Sequence, residues 1–367
     1  MNTIRHGSLP SKLLALAVLL LAWSAAARAD SLYVEERKVT QLAEGVYTIR
    51  HKDPFPGWVN GNTTVIIGDR DVLVVDSCQF SYFALEDIAQ IRQWTSKPVR
   101  WLVNTHWHED HNSGNADYMR AFPGLAIVSH PATKSMQADT APNYAHDVMR
   151  DAAPIREKLA KRLETGKMDD GQPLTDEKRE QTKMRLAQID QVIAASKAFA
   201  VQLPTLTFER ELVLDLGNRE VRVMHLGRGN TAGDVVIYLP KEKILMTGDL
   251  LVSPVPFTFD GYPVEWIATL ETMDRMDADV IVPGHGEVMH DKNYLHLVTE
   301  AMKSVVAQVH EQIRRDDDVP LDKVKKAVDL KPFVEKFSAG DQNIARFFEY
   351  DMGDKFVELV FNEAKQR

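Results

Sequence analysis

The sequence has a single cysteine, Cys78, among its 367 residues, so no disulfide can form within the chain. Basic residues are outnumbered, 44 Lys and Arg against 53 Asp and Glu, for a net charge of −9. An acidic surface repels a phosphate backbone, which argues against a nucleic-acid partner. There is no low-complexity segment and no internal repeat. Beyond the first 29 residues, no run is long and apolar enough to cross a bilayer. What is present is ordinary for a globular chain: 44% hydrophobic, 26% charged and 8% aromatic residues. Those fractions exclude a disordered, collagenous or coiled-coil protein. The length fits two domains or one large α/β domain, with ample chain to bury a core.

Residues 1–29 stand apart. Arg5 and Lys12 give a basic start, Leu13 to Trp23 is almost wholly apolar, and Ala27-Arg28-Ala29 is a small-x-small cleavage site. This pattern predicts a secretory signal peptide, cleaved after Ala29, and a periplasmic or secreted product. The apolar run is too short to remain as a spanning helix. Removing three basic and no acidic residues takes the net charge from −9 to −12. Cys78 lies far from the cleavage site and is not placed to carry a lipid.

Hydrophobic patterning then predicts strands at Val46 to Ile49, Thr63 to Ile67, Val72 to Val75 and Val99 to Val103. Gly68 to Asp71 reads as a turn between the second and third of these. Ala84, Ile88 and Ile91 have helical spacing. Strand signals return at Leu212 to Leu214, Glu220 to Leu226, Val235 to Leu239, Ile244 to Met246 and Val280 to Val282. Trp266, Leu270 and Met273 mark a helix between the last two.

The stretch from about Pro142 to Ala200 differs from both halves. It holds no aromatic residue between Ala145 and Ala198 and is dense in charge of both signs. Ile155, Leu159 and Leu163 predict one amphipathic helix; Leu186, Ile189 and Ile193 predict another. Thr175-Asp176-Glu177 reads as a capped start of the second. The stretch is read as an insertion within a domain over 30–300, followed by a helical extension over 301–367. Two strand-rich halves imply a two-sheet core with helices outside.

Chemistry concentrates in Asn104-Thr105-His106-Trp107-His108-Glu109-Asp110-His111, just past a strand. Residues two apart in extended chain point the same way, so His106 and His108 can converge on one ion. Asp110 and His111 can serve a second if the chain turns there. Imidazole and carboxylate are the usual ligands of zinc and related metals. Two later strand ends supply further ligands, Asp249 after Gly248 and His285 after Gly284.

With these residues in order, the sequence resembles the metallo-β-lactamase-fold hydrolases. His106 to His111 matches that family's His-x-His-x-Asp-His motif, and Asp249 and Gly284-His285 match its later motifs. The resemblance covers roughly Glu44 to His290. It implies an αββα sandwich of the α/β class and one or two zinc ions, with iron or manganese as alternatives. The ligands carried over are His106, His108, Asp110, His111, Asp249 and His285. One departure is Asn230, which stands where the family usually has the histidine of a Gly-His-Thr motif. That weakens the site of His106 and His108 and leaves the site of Asp110, His111, Asp249 and His285 intact. His225, five residues before Asn230, reads as a strand residue rather than a substitute ligand.

The implied reaction is hydrolysis of a small-molecule ester, lactone, thioester or amide, β-lactams included. Asp110 orients or deprotonates the attacking water, and Asn230 is a candidate donor to the oxyanion. Arg228 is a candidate for a substrate carboxylate; Trp58 and Phe257 are candidates for its apolar face. The competing reading is a member that binds metal or ligand without turnover. The sequence leaves the oligomeric state open.

Overall fold

The structure, a computed structural model, describes Val34 and residues 36–366. The signal peptide expected over residues 1–29 lies outside the described residues. Strands β1 (Lys38–Ala43), β2 (Val46–Arg50), β3 (Thr63–Ile67) and β4 (Val72–Val75) form an antiparallel meander. Strands β5 (Val99–Val103), β6 (Ala126–Ser129) and β7 (Leu206–Thr207) extend it in parallel. The second sheet is antiparallel through β8 (Glu211–Asp215), β9 (Glu220–Met224), β10 (Val236–Leu239) and β11 (Ile244–Met246). Strand β12 (Val280–Val282) closes it parallel to β11.

Side-chain alternation builds the layers. Leu73 and Val75 of β4 face Ile237, Ile244 and Met246 of the other sheet. Val72 and Val74, one residue out of phase, face helix α1 (Ser81–Trp94) through Ala84, Ile88 and Ile91. Likewise Val236 and Leu245 point outward, onto Trp266, Leu270 and Met273 of helix α6 (Pro263–Asp274). Helix, sheet, sheet and helix are therefore stacked in the αββα order. The β3–β4 hairpin closes where the Gly68 N–H donates to the Asp71 carbonyl at 2.9 Å.

Two short helices, α2 (Glu109–Asn112) and α3 (Asn115–Ala121), follow β5. The insertion is a helical hairpin of α4 (Pro131–Thr165) and α5 (Asp176–Lys197). The Thr175 hydroxyl caps α5, accepting from the Lys178 N–H at 3.3 Å. The insertion starts earlier than Pro142, which lies inside α4. Pro131 occupies the first turn, where its missing N–H costs nothing, and His130 caps the helix. The hairpin seats Tyr144, Val148 and Ile189 against Phe55 and Phe80 of the first sheet's loops and Phe83 of α1.

The boundary expected at 300/301 falls inside α7 (Asn293–Arg315), which is continuous across it. Helices α8 (Leu321–Ala327), α9 (Lys331–Ser338), α10 (Gln342–Tyr350) and α11 (Val357–Lys365) follow. Phe348, Met352 and Phe356 share one apolar cluster with Leu270 and Met302. The tail therefore completes the outer helical layer on the second sheet rather than forming an appendage.

Candidate metal centre

Every candidate ligand leaves the carboxyl end of a strand. β5 runs into His106 and His108, β11 into Asp249 and β12 into His285. The single turn of α2 redirects the chain after His108, so that Asp110 and His111 face a second group of donors. The Asn112 amide holds this loop by donating to the Trp107 and His108 carbonyls at 2.7 and 2.6 Å.

Two donor groups result, joined by Asp249. In one, His106 Nε2 lies 3.0 Å from His108 Nδ1 and 3.6 Å from Asp249 Oδ2. In the other, His111 Nε2 lies 3.1 Å from His285 Nε2 and 3.2 Å from Asp249 Oδ1. Asp110 Oδ2 completes it, 3.0 Å from His285 Nε2 and 3.4 Å from His111 Nε2. Gly284 permits the approach: a Cβ there would stand 1.9 Å from Asp249 Oδ1.

The donors fit a divalent cation. Asp249 Oδ1 is buried and has no hydrogen-bond partner. The His111 ring is fixed by Asp76, whose Oδ2 accepts from Nδ1–H at 2.8 Å, leaving Nε2 as a lone pair for an ion. The Thr105 hydroxyl donates to Asp76 Oδ2 at 2.8 Å and accepts from His106 Nδ1 at 3.0 Å, so His106 is oriented in the same way. Burial and then His111 hold the His106 pKa well below its ordinary value, which keeps the ring neutral. Burial opposes a charge on His285, yet Asp249 and Asp110 raise its pKa to about 10. Burial likewise opposes ionising Asp110, but His111 and His285 pull its pKa below the usual carboxylate range. The cluster thus concentrates negative potential between neutralisable nitrogens, which is what a 2+ ion requires.

The remaining sequence candidates are placed less uniformly. Asn230 is 1% exposed, and neither of its amide atoms has a partner. The turn that follows is capped by Asp234 instead, whose carboxylate accepts from the Thr231 N–H and hydroxyl at 2.8 Å each. His225 donates Nδ1–H to the Asp234 carbonyl at 2.8 Å and stacks on His130 at 4.2 Å, so its ring is satisfied away from the ligands. It sits just past β9 rather than within it. Arg228 is engaged by an acid of this chain. Its guanidinium makes a two-pronged contact with Glu265, Nε to Oε2 at 2.9 Å, and lies 4.0 Å from the Tyr262 ring. Trp58 stacks on Phe80 at 6.2 Å and packs at the base of the insertion. Phe257 is beside the centre, its ring 6.4 Å from that of His285.

Sequence reasoning missed two contributors. Asp76 has a left-handed φ of 61°, and this strand-end kink lets one carboxylate serve both Thr105 and His111. Its signal, an acid at a strand end, is close to the one that marks Asp249, three residues past β11. Phe347 of α10 lies 5.5 Å from Phe257, with Phe259 at 5.2 Å on another side. Nothing local in the sequence ties the tail to the centre.

Comparison with known proteins agrees with this geometry. The family model of the metallo-beta-lactamase superfamily matches residues 56–285. The chain belongs to that superfamily. A linear primary-alkylsulfatase of Pseudomonas sp. (strain ATCC 19151) is 25% identical over 253 residues, 66% of this chain and 45% of that protein. A metallo-beta-lactamase type 2 of Bacillus sp. (strain 170) is 33% identical over 89 residues, 23% of this chain and 35% of that protein. The chain thus spans less than half the length of these curated relatives. Among solved structures, a metallo-beta-lactamase from Pontibacter korlensis superposes with a TM-score of 0.52 at 19% identity, covering 73% of this chain and 99% of that one. Likeness at that level shows the fold. Members of the superfamily typically bind metal ions, and the described residues offer two candidate groups at this centre, His106 with His111 and Asp249, and Asp110 with His111 and His285.

Proposed function

We propose that the protein is an exported, zinc-type hydrolase of ester-like bonds, with the sulfate ester of an apolar alcohol as its first substrate to test. The observation that carries the hydrolase reading is the pair of donor groups meeting on Asp249, with Asp110 at its rim. The preference for a sulfate ester rests on the alkylsulfatase alignment, which runs over 66% of the chain, against 23% for the β-lactamase. Half-buried Phe257, Phe259 and Phe347 supply an apolar wall for the alcohol portion. Export rests on the basic, apolar and Ala-Arg-Ala series of residues 1–29.

Bound divalent ions act as Lewis acids and make water nucleophilic near neutral pH. The chain's own residues do the rest. Asp110 accepts the proton of the attacking water and orients it. The unpartnered Asn230 amide donates an N–H to the oxygen that gains charge. Asp76 and Thr105 keep His111 and His106 in the ligating tautomer. The aromatic wall excludes water on one side.

A panel of an alkyl sulfate, aryl esters, a lactone, a thioester and a β-lactam tests the reading. Metal-dependent turnover of the sulfate or another ester supports it; selective turnover of the β-lactam reverses the preference. The rival reading, metal binding without turnover, draws on Asn230 in place of a histidine. It prevails if the metal-loaded protein turns over nothing in the panel. For export, the mature protein should begin at Asp30; an intact Met1 on a membrane-bound product refutes it.

A further inference from the structure

A second cluster of metal-ligating side chains lies outside the centre and shares no residue with it. His51 follows β2, Cys78 follows β4, and Asp87 lies on α1. All three are 0–1% exposed. His51 Nε2 is 3.2 Å from Cys78 Sγ and 3.1 Å from Asp87 Oδ2, and Sγ is 3.3 Å from the same oxygen. Thr63 Oγ1 stands at a fourth side, 3.2 Å from His51 Nε2 and 3.5 Å from Cys78 Sγ.

We propose that His51, Cys78 and Asp87 bind one structural ion of the zinc type, with the Thr63 hydroxyl closing the shell. Three observations support this. First, zinc bonds of about 2.0–2.3 Å in a tetrahedron put ligand atoms about 3.3–3.6 Å apart. The cluster's edges of 3.1–3.3 Å match that to a few tenths of an ångström. They also match the 3.0–3.6 Å donor spacings at the superfamily's own centre. Second, three ligand-type atoms crowd around His51 Nε2 at 3.1–3.2 Å, and a single N–H can point at only one of them. A single ion satisfies every atom around Nε2 at once. Third, the charges close. A thiolate and a carboxylate neutralise a 2+ ion, and Arg37, 3.0 Å from Asp87 Oδ1, is offset by Glu86 at 3.6 Å. Asp87 thus keeps Oδ2 for the ion while Oδ1 is held by a cation, as ligating carboxylates usually are.

Binding displaces the thiol proton to solvent; no redox change is involved. The left-handed φ of 69° at Cys78 is what turns its sulfur inward from the loop after β4. A filled site ties β2, β3, that loop and α1 together directly behind Asp76, the residue that orients His111.

Because the cluster is buried, the ion must enter during folding, so the test loads metal during expression. Protein is produced in cobalt-supplemented minimal medium and its cobalt content measured. Cys78 is the only cysteine, so any near-ultraviolet sulfur-to-cobalt charge-transfer band comes from this site alone. The expected spectrum shows that band beside the weaker visible bands of the His and Asp centre. Cys78→Ser should abolish the charge-transfer band, lower total metal by one equivalent and retain the visible bands. Cobalt-loaded protein without the band overturns the proposal, and that outcome is read on the parent protein, with no variant needing to fold. Equal metal content in the parent and a folded Cys78→Ser protein overturns it as well. Neither readout depends on turnover, so failure here leaves the hydrolase reading standing, and the reverse.

Discussion

Asp110 is the residue on which the proposed mechanism turns. Its Oδ2 meets both His285 and His111, yet it lies at the rim of the donor group and not beneath it. Asp110→Asn keeps the shape, cannot accept a proton and is a weaker ligand. At saturating metal, kcat should fall by about 10²–10⁴, the usual cost of a lost general base, with an unchanged circular dichroism spectrum. Near-native kcat would leave the water activated by metal alone. Asn230 makes the opposite test. On the proposed reading it weakens only the group of His106 and His108, so apo-protein should titrate with one tight and one weaker equivalent. Asn230→His should tighten the weaker one, and two equally tight equivalents in the parent protein would refute the asymmetry. The candidate ligands were legible because each sits at a strand end within a short motif. Asp76 was not, because its role exists only once β4 and β5 lie side by side. The pairing of Arg228 was not legible for a related reason: Glu265 is 37 residues away on α6, beyond any local pattern.

At the scale of elements, strongly patterned segments were readable to the residue. Thr63 to Ile67, Val72 to Val75, Ile244 to Met246 and Val280 to Val282 coincide with β3, β4, β11 and β12. Strand β1 was missed because it lies at the sheet edge with largely exposed side chains, so burial leaves little alternation in its sequence. The four-residue β6 was missed as well: only Ile127 and Val128 are β-branched and apolar there, flanked by Ala126 and Ser129, whereas the equally short β4 is Val and Leu throughout. The insertion divides into a rooted and a distal part. Its root is fixed where the Thr133 hydroxyl donates to the Gly233 carbonyl at 2.8 Å and Tyr144 to the Gln79 carbonyl at 3.1 Å. Toward its tip the hairpin is tied to itself, Lys158 and Arg162 to Asp169 and Arg179 to the Leu163 carbonyl. Replacing residues 162–184 with a short turn should therefore leave metal content intact and shift KM or substrate range. A folded variant of this kind that has lost metal would show that the hairpin supplies a ligand.

At the scale of the whole molecule, the tail is the feature that sequence reading most undervalued. It looked like an extension because its helices carry no motif, but an αββα sandwich needs both outer layers covered. Val236, Leu245 and Ile281 of the second sheet are covered by a cluster that includes Met302, Val305, Phe348 and Phe356. Phe348 is fully buried, and its ring stacks on Phe337 at 4.3 Å. Its neighbour Phe347 is half-buried and faces Phe257 beside the centre. Adjacent residues on one helix thus face two ways, Phe348 into the core and Phe347 toward Phe257 beside the centre. Phe348→Ala should cost about 3–5 kcal/mol of unfolding free energy, the usual range for emptying a buried phenylalanine site. Phe347→Ala should cost far less, because the side chain is already partly solvated, while raising KM for a long-chain substrate at nearly constant kcat. Denaturant unfolding and steady-state kinetics on both variants decide the matter. Equal, small losses of stability would mean that the tail is not part of the core; an unchanged KM for Phe347→Ala would detach it from the substrate.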